Sequence, residues 1–139
     1  MSLLDAITPL LITYNEVQNI ERTLGKLKWA RHIVVIDSGS TDGTLEILAK
    51  DPRIKIHHRP FDGFAQQCNF GLSHIATPWV LSLDADYELS DELIAELRQL
   101  QPAAQQTGFR AGFIYRIYGR PLRGTLYPPR VVLYRVAGA

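Results

Sequence analysis

The chain has 139 residues, 46% of them hydrophobic and 21% charged, ordinary usage for about one globular domain; a disordered tail, a collagen-like rod and a disulfide-stapled miniprotein are excluded. Its single cysteine, Cys68, allows no intrachain disulfide and fits a reducing compartment, and no run approaches the ~20 unbroken apolar residues that cross a bilayer. The formal net charge of +1 covers an asymmetry: residues 1–96 carry eight Lys and Arg against all 14 acids, a net −6, whereas residues 97–139 carry seven arginines and no acid, a net +7.

Asp5 and Pro9 interrupt the apolar N-terminus and no basic region precedes it, so it does not read as a signal peptide. Residues 7 to 13 read as a strand with Pro9 near its start. Asn15 is placed to cap a helix, with Gln18 three residues on as in a capping box; Val17, Ile20, Leu24 and Leu27 follow at helical spacing. His32 to Asp37 contain Ile-Val-Val-Ile, a β-branched run of the kind buried on both faces of a parallel sheet. Ser38 to Gly43 form a polar, glycine-bearing turn, and Leu45, Ile47, Leu48 and Ala49 continue as a short helix that Asp51-Pro52 stops. Ile54 and Ile56 alternate with charge in a third strand near 53–58. Phe64 to Ile75 read as a helix that Gly63 and Gly71 weaken. Trp79 to Leu83 form a buried strand ending at Asp84. Ser90 caps a helix to about Leu100, with Asp91 and Glu92 in its first turn where the dipole favours them. Phe109 to Tyr118 and Arg130 to Val136 read as strands. The alternation predicts an α/β class, a mostly parallel Rossmann-like sheet with helices on both faces, in which ligands bind outside the carboxyl ends of the strands.

Three of these strand ends are polar: Thr13-Tyr14-Asn15-Glu16, then Asp37 to Thr44, then Asp84-Ala85-Asp86. Parallel strands would bring all three to one edge. The Asp84 and Asp86 pair reads either as a surface turn or as ligands for a hard divalent cation, Mg²⁺ or Mn²⁺, which keeps waters and substrate phosphates. Asp37 can accept hydrogen bonds from a base or a ribose, with Gly39 and Gly43 permitting close backbone approach; capping by Ser40, Thr41 and Asp42 is the other reading. Neither a Gly-x-x-x-x-Gly-Lys loop nor a Gly-x-Gly-x-x-Gly fingerprint is present, which disfavours an ATPase or a nicotinamide dehydrogenase.

Ile-Thr-Tyr-Asn-Glu, Val-Val-Ile-Asp-Ser-Gly-Ser-Thr-Asp-Gly-Thr, Gly-Phe-Ala-Gln-Gln-Cys-Asn-Phe-Gly-Leu and Trp-Val-Leu-Ser-Leu-Asp-Ala-Asp follow in this order within residues 7–100. Together they resemble family 2 glycosyltransferases of the GT-A fold, above all the lipopolysaccharide-core glucosyltransferases of bacteria. The resemblance implies an inverting transferase that uses a nucleotide-diphosphate sugar, a UDP-sugar in first place, and a glycan or lipid-linked acceptor. Thr13, Tyr14, Asn15, Glu16, Asp37 and Ser38 would line the nucleotide site, Tyr14 stacking on the base and Asp37 contacting it. Gln67 and Asn69 would touch the donor, with Cys68 standing where relatives usually carry a basic residue. Asp84 would lie near ribose and metal, and Asp86 would hold the metal.

An inverting transfer needs a general base. No Asp, Glu or His follows Glu96, and Glu88 reads as a base or, more simply, as a solvated acid, so no catalytic base is assigned. Residues 1–100 are expected to form the donor-binding subdomain and residues 101–139 the start of an acceptor-side subdomain, either truncated or naturally short. The competing readings are an inactive nucleotide-sugar-binding or interaction module and a nucleotidyltransferase. Arg98, Arg110, Arg116, Arg120, Arg123, Arg130 and Arg135 suit either the solvated surface of a larger protein or an anionic partner, the latter as a peripheral membrane contact on a cytoplasmic protein rather than nucleic acid. Exposed edge strands would favour self-association.

Overall fold

The computed structural model describes residues 2–117 and 120–136, with side chains outside residues 110–131. Tyr118 and the side chains of Arg110, Arg116, Arg120, Arg123 and Arg130, singled out in the sequence, lie outside the described residues. The apolar runs become strands of one sheet: β1 (Ile7–Thr13), β2 (Ile33–Asp37), β3 (Ile54–His58) and β4 (Trp79–Asp84). These pair in parallel in the order β3-β2-β1-β4. An antiparallel ribbon, β5 (Gly108–Ile117) and β6 (Arg120–Arg135), extends the sheet, with β6 against β4 and β5 at the edge.

Side-chain alternation supplies two cores, one on each face of the sheet. Leu11, Ile33, Val35, Leu81 and Leu83 face α1 (Ile20–Gly25), α2 (Thr44–Ala49) and α4 (Asp91–Gln99), meeting Ile20, Leu48 and Leu97. Leu10, Val34, Ile36 and Val80 face the other way, onto Phe70 and Leu72 of α3 (Phe64–Leu72). Helices therefore cover both faces, as the alternation of elements implies. Burying one Leu or Ile contributes about 1.5–3 kcal/mol, and a one-residue slip would exchange the two faces of a strand. This two-sided burial fixes the register, and with it the level at which each strand ends.

Four local expectations are corrected. Asn15 does not cap α1. It has a left-handed backbone, φ 51°, and α1 starts at Ile20 behind Asn19. The amides of residues 15–17 donate across to Ser40, Thr44 and Asp42, while the Glu16 carbonyl accepts from Asn19 N and Ile20 N at the start of α1. The third helix ends at Leu72 rather than Ile75, its last residues tapering through i→i+3 turns such as His74 N to Gly71 O. Gly71, which weakens that helix by propensity, is required by packing, because a Cβ there would stand 2.5 Å from Leu10 Cδ1. The last strand starts ten residues before Arg130, at Arg120; Pro128 and Pro129 fall where its pairing to β5 shifts register, so they cost no ladder bond. Ser90 does cap α4, its hydroxyl accepting from Leu93 N at 3.0 Å.

Candidate active site

β1 is the pivot of the sheet. The chain leaves it toward β2 and β3 on one side and returns to β4 on the other, so the crevice beyond its carboxyl end is the topological switch point where open α/β sheets bind ligands. The register sets the three polar tips at one level: Thr13 is beside Asp37, and Ile12 is beside Asp84. Alternation turns Asp37 to the α1/α2 side of this edge and Asp84 to the α3 side.

Asp37 is the hub of the first two tips. It is 1% exposed. Oδ1 accepts from Thr13 Oγ1 at 2.8 Å and Ser40 Oγ at 2.5 Å, and Oδ2 accepts from the amides of Gly39 and Ser40, each at 2.8 Å. Burial by itself pushes this carboxyl up, but the bonds from Ser40, Gly39 and Thr13 outweigh it, and the group lies below the ordinary 3.8. Gly39, at φ 114°, supplies the turn that aims its amide inward.

The loops after β1 and β2 are then stitched together. Asn15 N donates to Ser40 Oγ at 2.9 Å, Glu16 N to Thr44 Oγ1 at 2.9 Å and Val17 N to Asp42 Oδ2 at 3.1 Å, while Thr41 N donates to Asn15 Oδ1 at 2.8 Å. Ser38 N donates to the Thr13 carbonyl at 3.2 Å. The run Asp37 to Thr44 thus does more than cap α2: its side chains hold the neighbouring loop, and this competition takes Asn15 from α1.

The third tip is built differently. Ala85 is buried, and its carbonyl accepts from Thr23 Oγ1 of α1 at 2.8 Å. Tyr87 N closes the turn onto Asp84 O at 3.0 Å. The small central residue is pinned inward, leaving Asp84 half-buried and Asp86 exposed. That is the physical sense of the Asp-Ala-Asp spacing. Among the described residues, no three His, Cys, Asp or Glu side chains converge as a metal cage. A cation at this pair would need further oxygen ligands from a phosphorylated ligand and water.

Beside the tip of β1 lies an open cleft of about 440 Å³, lined by Ile12, Thr13, Tyr14, Glu16, Ser38 and Phe61. Tyr14 and Phe61 are 57% and 59% exposed. The lining includes one acid and no base. Thr13, Tyr14, Glu16 and Ser38 therefore line it, whereas Asn15 braces the loop behind. Gln67 is fully buried, its amide accepting from Arg59 Nη1 at 2.9 Å and donating to Arg59 O at 3.0 Å. It supports the loop that carries Phe61 and does not reach the cleft. Asn69 is exposed on α3. Cys68 is half-buried with Sγ 4.0 Å from Ser82 Oγ. Glu88 is exposed and 3.7 Å from Arg22. Sequence reasoning missed Thr23, Arg59 and Phe61; the available signal was an aromatic set among turn formers, Pro60-Phe61-Asp62-Gly63.

A parallel α/β sheet with a clustered polar rim and aromatic side chains at an open cleft places this site at the carboxyl edge, where open α/β sheets take ligands. The chain belongs to glycosyl transferase family 2, whose model matches residues 10–130. It is 35% identical over 106 residues to an uncharacterized glycosyltransferase of Rickettsia bellii, covering 76% of this chain and 36% of that one. It is 31% identical over 105 residues to the lipopolysaccharide core biosynthesis glycosyltransferase LpsC of Rhizobium meliloti, covering 72% and 38%. The chain thus spans under two-fifths of both relatives. Among solved structures, it is similar to TarS of S. aureus in complex with UDP (TM-score 0.57, 25% identity, 65% of this chain and 30% of that one), a protein also solved with UDP-GlcNAc. It is likewise similar to the mannosyltransferase PcManGT of Pyrobaculum calidifontis in complex with GDP-Man and Mn²⁺ (TM-score 0.57, 28% identity, 65% and 30%). The resemblance carried by the four motifs is borne out, as are the GT-A fold and the glycosyltransferase class. Among the described residues, no helix is long and apolar enough to cross a membrane.

Proposed function

We propose that this chain is the donor-binding part of an inverting glycosyltransferase, taking sugar from a nucleotide-diphosphate sugar toward a lipopolysaccharide-core or related cell-surface glycan. The observation that carries the reading is the shared level of Thr13, Asp37 and Asp84 at the carboxyl edge of the parallel strands, beside an open cleft. Thr13, Tyr14, Glu16 and Ser38 receive the nucleoside. Asp37 preorganises this floor. A direct bond from Asp37 to the base requires one of its four donors to yield, and of the two hydroxyls that can rotate, Ser40 is the less buried. Asn69 is the remaining candidate for the sugar side, and Gln67 acts through the loop it holds.

Asp84 and Asp86 would hold a divalent cation, Mg²⁺ or Mn²⁺. Charge supports this: an anionic diphosphate beside Glu16, Asp84 and Asp86 meets like charges, each costing about 4 kcal/mol at 4 Å and an effective dielectric of 20. A bound cation removes that repulsion and neutralises charge on the departing diphosphate. Residues 1–100 form the donor half, and residues 101–139, with six arginines and no acid, lead toward the acceptor and an anionic membrane face. No acid or histidine follows Glu96, and Glu88 lies on the surface beside Arg22. This chain alone should therefore hold donor without rapid transfer, which is what favours a binding-module behaviour for it.

Titration of the chain with UDP-glucose, UDP-GlcNAc and GDP-mannose, with and without Mn²⁺, tests the proposal. Metal-dependent binding of at least one is expected. No metal-dependent affinity, or a preference for nucleoside triphosphates, would overturn it.

A further inference from the structure

We propose that Phe61 is a base-stacking residue of the nucleotide site, carried on a rigid loop built for that purpose. The inference rests on the nucleotide-sugar reading of the cleft and names a residue that reading does not require.

Exposed aromatic side chains are sparse among the described residues. The large hydrophobic side chains left exposed are Tyr14, Phe61 and Phe64, and the two most exposed line the same cleft. A phenylalanine 59% exposed on a loop contributes little to either core. Its ring is apolar on both faces and can stack on any base, because every base presents a π-face.

The mount is specific. Arg59 and Asp62 bracket Phe61 and pair with each other, Arg59 Nη1 to Asp62 Oδ1 at 2.7 Å and Nη2 to Oδ2 at 3.2 Å. The buried Gln67 grips Arg59 from α3 through both ends of its amide. Arg59 N donates to the carbonyl of Asp37 at 2.9 Å, and Pro60 fixes one backbone angle between the clamp and the ring. Both aromatic residues of the cleft are thus tied to Asp37, Tyr14 through the neighbouring Thr13 and Phe61 through Arg59. A loop braced in this way loses little freedom when a ligand arrives, which is the condition under which stacking adds to affinity.

Three variants and a base-less probe test this. Phe61→Ala should weaken binding of UDP or GDP by about tenfold while leaving Mn²⁺-dependent binding of pyrophosphate and the melting temperature unchanged. Phe61→Tyr should restore nucleotide affinity. Phe61→Trp should show fluorescence quenching by UDP or GDP beyond that of the wild-type chain, and none with pyrophosphate. Unaltered nucleotide affinity in Phe61→Ala would overturn the role of Phe61 while leaving the functional reading intact. Absence of nucleotide affinity in the wild-type chain would overturn the functional reading and this inference with it.

Discussion

Two clusters of acid stand on the same edge of the sheet and are treated in opposite ways. Asp37, at the end of β2, is buried and surrounded by four donors from its own and the neighbouring loop. Asp86, after β4, is exposed, on a turn whose rigidity comes from the buried Ala85 and its bond to Thr23. The first acid is an internal organiser, because a buried carboxylate persists only when hydrogen bonds replace its water. The second stands at the surface, next to the half-buried Asp84. Under the proposed function the rim joins this preset floor to an ion-dependent donor contact.

Removing the organiser should have the largest effect. Asp37→Ala leaves a buried hydroxyl, a half-buried hydroxyl and two amides without their acceptor and should lower unfolding free energy by about 3 kcal/mol, measured by urea denaturation. A loss under about 1 kcal/mol would place the hub elsewhere. Thr44→Val keeps the shape of a fully buried side chain but removes the oxygen that accepts from Glu16 N and donates to Asp42. A loss of about 1–2 kcal/mol is expected, together with faster amide exchange at Glu16.

Acid should separate the two faces of the sheet. Asp37 lies below 3.8 when folded, so its stabilisation is present above that value and is lost as pH falls through the folded one. His57 on β3 stacks on His74 at 3.8 Å on the α3 face. Burial, His74 and Lys55 hold it below 6.5, so stability also declines once pH falls under 6.5 and protonation is forced on it. Unfolding measured from pH 8 to 3 should show a shallow early loss, which His57→Gln removes, and a later one, which it does not. The smallest stability effect is expected at Asp86. Asp86→Ala should change unfolding by no more than about 0.5 kcal/mol, yet abolish metal-dependent donor affinity in titration.

The parallel half was legible because its strands are buried on both sides, and Ile33 to Ile36 or Trp79 to Leu83 carry a signal that survives without context. The rim was legible as three polar tips, since register follows from those same strands. Partnership was not. Asn15 and Gln18 spell a capping box, but Thr41 and Ser40 bind Asn15 from a loop 25 residues away, and local patterns cannot announce a non-local competitor. Gln67 looked like a ligand contact because its burial depends on Arg59 folding back from β3. The length of β6 carried no such signal: Pro121, Pro128 and Pro129 lie within it, and its pairing to β5 shifts register opposite residues 128 and 129. Phe61 was passed over because exposure is a tertiary property.

The unity of the rim can be tested by amide NMR of the chain during addition of a UDP- or GDP-sugar with Mg²⁺, followed by exchange of Mg²⁺ for paramagnetic Mn²⁺. The signals of residues 13–16, 37–40 and 84–86 should move together with one affinity, and Mn²⁺ should broaden residues 84–86 most. If only one of these three stretches responds, or if broadening centres elsewhere, the strand tips do not form a common donor site.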